Sequence, residues 1–297
     1  MKTGNIPFRT PIKDLVIRIL IQVYQKLPFR PFRSTLALLY ADYRKARKDG
    51  KVYATVGHIN YLLDLNEMID CQIYYQGVYE RVETERIRQI VKPGMFVCDV
   101  GANIGYFTLN LARLVGDTGR VFAFEPTEWA FRRLSTNIAL NDFRNIVANK
   151  YALSDSSATG RKDTRIAAFR ASWTLDGSSP TSKDETLEFT TLDQYFGNDH
   201  KRLDFMKIDV DGYEYRVIKG ARETIQTFRP ILFLEIGRWT MEEVGDRPEE
   251  LVDLLADLGY CFLNPDGSKR YSSPRHLLDA IPFHQAKNIL CIPDEKF

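Results

Sequence analysis

Between Met95 and Pro126 the chain reads MFVCDVGANIGYFTLNLARLVGDTGRVFAFEP, and this stretch constrains the fold more than any other. An apolar run, Phe96 to Val100, ends in Gly101-Ala102-Asn103-Ile104-Gly105. Helical spacing follows, and a second apolar run, Arg120 to Phe124, ends at Glu125 and Pro126. Strand, glycine-bearing turn, helix, strand and carboxylate in that order form the front half of a nucleotide-type α/β site. Small residues let the turn pass close to a ligand, and a carboxylate at the second strand's tip can accept hydrogen bonds from a ribose diol. An adenosine-like ligand is expected, with Asp99, Gly101, Asn103, Gly105, Glu125 and Pro126 around it.

The turn narrows the choice of nucleotide. A dinucleotide fingerprint uses three glycines, so that a pyrophosphate can rest on backbone N–H groups at a helix start. Here Asn103 stands where the second glycine would be, and Asp99 lies two residues before the first. An acidic residue beside the turn weakens a pyrophosphate site but can hold a cationic amino group. S-adenosylmethionine carries an ammonium and a sulfonium and has no phosphate. The residues therefore favour it over a dinucleotide, with an α/β domain lacking either ligand as the third reading. There is no Walker A pattern.

The charge is uneven. Residues 1–51 hold 12 Lys/Arg and 3 Asp/Glu, while the 297-residue chain as a whole has a net charge of +2. Within this basic section Ile12, Leu15, Val16, Ile19, Leu20 and Val23 recur at helical spacing, which predicts an amphipathic helix. A second helical run is expected from Thr35 to Lys48. The apolar stripe suits packing on the domain or on a second copy of the chain, or a peripheral contact with anionic lipid. No basic pattern interleaved with aromatics or zinc-finger spacing points to nucleic acid. Cys71, Cys98, Cys261 and Cys291 are widely spaced, as expected of reduced, buried thiols. With no uninterrupted apolar stretch of about 18 residues and no recognisable signal peptide, a cytoplasmic location is the expectation, with contact at the inner face of a membrane through the basic helix as its extension.

Elsewhere helical and strand patterns alternate. Strands are expected at Tyr61 to Leu65, Asn145 to Ala148, Leu187 to Thr190, Leu203 to Val210, Ile231 to Ile236, Tyr260 to Leu263 and Asn288 to Ile292. Lys150 to Leu153 should continue toward the site. Helices are expected at Glu80 to Val91, Thr108 to Leu114, Glu128 to Leu140, Leu192 to Phe196, Glu214 to Phe228 and Pro248 to Leu258. Residues 154–186, rich in Ser, Thr, Gly and charge, look like an insertion or a covering segment. The chain thus divides into a helical extension, 1–55, and a main domain, 56–297.

A second cluster, Phe205-Met206-Lys207-Ile208-Asp209-Val210-Asp211-Gly212-Tyr213-Glu214, puts carboxylates at the end of a core strand, where open α/β sheets hold ligands. Glu235 ends the next strand. Asp209 is the first choice for contact with substrate or the methyl-donor region; Glu214 and Glu235 are candidates to orient a nucleophile or cofactor, and any of the three could accept a proton. Solvated strand ends and helix capping account for these acidic residues equally simply. Asp209, Asp211, Glu214 and Glu235 also offer hard oxygen ligands of the kind magnesium takes, at a spacing that is not diagnostic, so no metal is assigned. His58, His200, His276 and His284 share no ligand spacing; His284, in the loop Pro282-Phe283-His284-Gln285, is a further candidate base.

From Tyr61 to Ile236 the chain resembles the FkbM family of S-adenosylmethionine-dependent methyltransferases. Six pieces carry the likeness: Gly77-Val78-Tyr79-Glu80, Lys92-Pro93-Gly94, Asp99-Val100-Gly101-Ala102-Asn103-Ile104-Gly105, Phe124-Glu125-Pro126, Thr191-Leu192-Asp193 and Lys207 to Glu214. The resemblance implies a Rossmann-like class I methyltransferase fold: a seven-stranded, mostly parallel sheet with an antiparallel last strand and helices on both faces. It places the cofactor over residues 99–105 with Glu125 at the ribose. It also implies O-methylation of a sugar, glycolipid or polyketide-like hydroxyl. The family commonly has Glu where this chain has Asp211, which keeps the charge but shortens its reach. N-methylation, NAD-dependent oxidoreduction and non-catalytic glycan or lipid binding are the alternatives.

Overall fold

The computed structural model describes residues 50–161, 185–197 and 202–297. The predicted helices within 1–48, His200 and most of the 154–186 segment fall outside the described residues. The described part forms two compact units, one of residues 50–80 with 139–141 and the other of the remaining described residues.

In the first unit, β1 (Lys51–Val56) pairs antiparallel with β2 (Ile59–Asp64). Alternation drives the pairing: Val52, Ala54 and Val56 on one strand and Ile59, Tyr61 and Leu63 on the other are all buried. The sequence reading has a single strand here and misses its partner, which runs through the expected boundary at position 55. Helix α1 (Met68–Gln76) follows, and Asp70 accepts the Asp64 N–H at 2.7 Å. Asn141 grips β2 twice, accepting from Asn60 N and donating to Asn60 O, both at 2.9 Å.

The second unit is built on a mixed sheet. Its parallel centre comprises β3 (Phe96–Val100), β4 (Arg120–Phe124), β5 (Ile146–Asn149), β9 (Phe205–Ile208) and β10 (Ile231–Gly237). The last strand, β13 (Ala286–Pro293), runs antiparallel between β10 and β11 (Tyr260–Leu263). These are the seven strands of the class I sheet. An eighth, β12 (Arg270–Tyr271), extends the β11 edge by two residues. The order across the sheet is β12-β11-β13-β10-β9-β3-β4-β5.

Helices pack on this sheet because strands such as β9 are buried along their whole length. Helix α2 (Arg81–Ile90) precedes β3. Helix α3 (Tyr106–Val115) starts at the glycine turn, and the Asn145 side chain donates to Ala112 O and Gly116 O at its far end. Helix α4 (Glu128–Ala139) follows β4, and α5 (Leu192–Phe196) precedes β9. The single helix expected over 214–228 is two, α6 (Glu214–Lys219) and α7 (Arg222–Phe228). Gly220 breaks it because the chain there runs against Ser154: a Cβ would lie 2.0 Å from that carbonyl oxygen. The sequence reading also misses α8 (Arg238–Glu243) and α10 (Pro274–Asp279), which flank α9 (Pro248–Asp257).

Ala152–Leu153 does not continue β5. It forms β6 of a separate three-stranded sheet with β7 (Ala158–Arg161) and β8 (Thr186–Thr190), in the order β6-β8-β7. The expected insertion therefore springs from an antiparallel hairpin.

Candidate functional site

The glycine turn sits at the carboxyl edge of the parallel strands, where β3 meets β9 and β4. Gly101 has φ +83°, and a Cβ on it would fall 1.9 Å from the Asp209 carbonyl oxygen. Gly101 and Ala102 both donate backbone N–H bonds to Phe124 O at 3.0 Å. Gly105, at φ +91°, caps α3 against Leu134. Asn103 takes φ +48°, and its backbone N–H donates to Glu125 Oε2 at 3.0 Å. The other oxygen of Glu125 accepts from Thr127 N at 2.9 Å and Thr127 Oγ1 at 2.6 Å. The carboxylate at the tip of β4 is thus fixed by the turn it serves, and Pro126 beside it is partly exposed.

Asp99 is fully buried on β3. The Thr108 hydroxyl donates to its Oδ2 at 2.5 Å, whereas Oδ1 is buried with no hydrogen-bond partner. Burial pushes its carboxyl above the usual range, and the Lys207 ammonium opposes that shift. A buried carboxylate oxygen without a donor is costly, and an incoming ammonium would satisfy it. The glycine turn, the held carboxylate of Glu125 and the orphaned oxygen of Asp99 all fit the aminoacyl-adenosine outline of S-adenosylmethionine.

The second cluster lies beside the first. Asp209 leaves β9 half-exposed, and Lys207 Nζ donates to its Oδ2 at 2.8 Å. Asp209, Asp211 and Glu235 have carboxylate oxygens within 4.8 Å of one another, close enough to share a divalent cation, although Lys207 already brings a positive charge to Asp209. Asp211, at φ +47°, leads into Gly212 at φ +116°, where a Cβ would meet Thr240 O at 2.4 Å. Below this loop Tyr213 packs with Phe189 of β8 and with the Arg216 guanidinium, which is itself paired with Asp246 at 2.8 Å.

Glu214 departs from its expected role. It is buried and points back into its own turn, accepting from Val210 N at 3.1 Å and from Gly212 N at 3.0 Å. It holds the loop that carries Asp209 and Asp211 rather than facing a reacting group. Burial, outweighing those backbone donors, pushes its carboxyl up from 4.5 to about 7. In this range the folded state binds a proton that the unfolded chain lacks, so stability falls as pH rises from about 4.5 through about 7. Urea unfolding at pH 5 and pH 8 should show the wild type losing about 3 kcal/mol relative to Glu214→Gln. Parallel changes in the two proteins would assign the proton elsewhere.

His284 is exposed in the loop before β13, its ring edge-on to Phe283. Because Ala286 pairs with Gly237, this loop lies at the carboxyl edge, yet the structure does not bring the imidazole into the carboxylate group. Sequence reasoning gave no role to Lys207, a lone charge inside the strand Phe-Met-Lys-Ile that the fold places against Asp209. His58 stands in the β1–β2 turn and His276 in α10. The four cysteines are all free and buried. Among the described residues no helix is long and apolar enough to cross a membrane.

The model of the methyltransferase FkbM domain matches residues 99–262. Methyltransferase sdnD of Sordaria araneosa is 28% identical over 228 residues, covering 64% of this chain and 83% of that protein. The hexuronic acid methyltransferase AglP of Haloferax volcanii is 26% identical over 163 residues, covering 54% of this chain and 60% of that one. Among solved structures, methyltransferase FkbM from Methylobacillus flagellatus aligns with a TM-score of 0.44 at 16% identity. That alignment covers 95% of this chain and 59% of the other.

Proposed function

This chain belongs to the FkbM family of S-adenosylmethionine-dependent methyltransferases, and we propose that it methylates a hydroxyl oxygen of a sugar, glycolipid or polyketide-like metabolite. The observation that carries the reading is the adjacency of two carboxylate groups at one sheet edge. Asp99 and Glu125 frame the glycine turn, and Asp209 stands on the neighbouring strand within reach of Lys207. A sugar acceptor gains support from AglP, whose name gives it a hexuronic acid substrate.

In this reading Glu125 accepts the ribose hydroxyls and Asp99 Oδ1 accepts from the ammonium. When bound, the cofactor supplies an electrophilic methyl group on a sulfonium. Asp209 orients the acceptor hydroxyl and takes its proton, held in place by Lys207. Glu235 and Asp211 accept further acceptor hydroxyls. Phe107, under the Lys207 ammonium at 4.5 Å, keeps the floor of the site apolar. Catalysis then rests mainly on positioning and exclusion of water.

Titration calorimetry on cofactor-stripped protein tests this with S-adenosylmethionine, S-adenosylhomocysteine and NAD(H). Micromolar binding of the first two and none of NAD(H) is expected; a preference for NAD(H) overturns the reading. An acceptor screen follows, beginning with sugar and lipid hydroxyls and including amines. With an acceptor in hand, Asp209→Ala should lower kcat by about 100-fold. Its affinity for methylthioadenosine, which lacks the aminoacyl ammonium, should stay within about threefold of wild type, since this carboxylate is not assigned to the adenosine. Undiminished turnover would remove Asp209 from the chemistry.

A further inference from the structure

Lys207 is the least expected side chain in the sheet. It sits third in a strand whose four residues are all buried, and it is itself only 2% exposed. The register pairs it with Asp99 on β3, so the two side chains leave the same face of neighbouring strands. Its ammonium donates to Asp209 Oδ2 at 2.8 Å and lies 4.5 Å from the centre of the Phe107 ring. A buried ammonium is retained only where charges or donors and acceptors compensate it. Here the ammonium is held by Asp209 on a face it shares with Asp99, and its charge counters the repulsion that Asp209 exerts on the Asp99 carboxyl.

We propose that Lys207 is a positioning residue for cofactor binding: tethered to Asp209, it lends its positive charge to the buried Asp99 carboxylate that receives the cofactor's ammonium. The inference rests on the function proposed above and deepens it, because it assigns the charge balance of the cofactor site to the strand that carries the acceptor-side carboxylate. Asp99 takes only a hydroxyl donor, from Thr108, and keeps one oxygen without a partner. Lys207 opposes the effect of burial on that carboxyl. Without this cation, burial and the charge of Asp209 push the Asp99 carboxyl further toward its protonated form, and a protonated carboxyl is a poorer acceptor for an ammonium.

The test compares two probes by calorimetry. S-adenosylhomocysteine retains the aminoacyl ammonium, and methylthioadenosine keeps the adenosine but lacks it. Lys207→Met should weaken S-adenosylhomocysteine by roughly tenfold or more and leave methylthioadenosine within about threefold of wild type. Equal losses for both probes, as a general loosening would give, overturn the inference; so does an unchanged affinity for S-adenosylhomocysteine. Should Lys207→Met not fold, the comparison moves to Asp99→Asn with and without Lys207→Met, where the carboxylate to be served is already gone. Equal affinities of those two variants for S-adenosylhomocysteine are expected, and a further tenfold loss in the double variant overturns the inference. A wild type that binds neither probe would instead refute the proposed function, and this inference with it.

Discussion

Gly101→Ala should lower the melting temperature by roughly 8 °C or more and weaken S-adenosylhomocysteine at the same time. The residue sits at φ +83°, a conformation that costs an L-residue about 1–2 kcal/mol. The larger penalty is steric, because the added carbon would lie 1.9 Å from the Asp209 carbonyl oxygen. That oxygen cannot retreat cheaply: Asp209 N donates to Val100 O at 3.0 Å, the last bond joining β9 to β3. Relief requires opening the sheet between Asp99 and Asp209, so about 4 kcal/mol is expected in total. Gly245→Ala isolates the conformational part, since Gly245 has φ +82° and nothing within 4 Å of where its Cβ would stand. Equal melting temperatures for the two variants would refute the crowding argument.

Glu125→Ala should weaken S-adenosylhomocysteine by about 100-fold. Two losses combine. The ribose hydroxyls lose their acceptor, and Asn103, at φ +48°, loses the carboxylate that holds its N–H. Glu125→Gln separates them, because its amide keeps one acceptor oxygen while its NH2 faces donors from Thr127 or Asn103. A loss of about tenfold is expected for Gln. Calorimetry on the three proteins decides it, and an alanine variant that binds as wild type does would move the ribose away from β4.

Most of the sheet was legible from residues because its strands are short apolar runs ending in turn residues. Their order was not, since no local pattern in the chain says that β9 inserts beside β3. Where the reading failed, distant contacts decided. The break between α6 and α7 is imposed by the Ser154 carbonyl lying against Gly220, and the long stretch of sequence between those two residues carries no mark of it. Strand β1 alternates plainly, but its lysine falls at the end of the basic section and drew it into the extension. In the site, Glu125 was readable as a strand-tip carboxylate and Asp99 as an acidic residue beside the glycine turn. The spacing of Glu214 resembles that of its exposed neighbours, whereas its side chain turns inward to accept from the Val210 and Gly212 N–H groups. Lys207 required the cross-strand register, which only the folded sheet supplies.

The hairpin of β7 and β8 gives this chain a replaceable cassette. Arg161 and Thr186 are paired neighbours, so the span between them leaves and rejoins the body at points about 5 Å apart. A loop closed over so short a gap gains length cheaply, at about 0.6 kcal/mol for each doubling. A change of length between Arg161 and Glu185, whose carboxylate accepts the Glu128 N–H, is therefore compatible with the central sheet and its two carboxylate groups keeping their places.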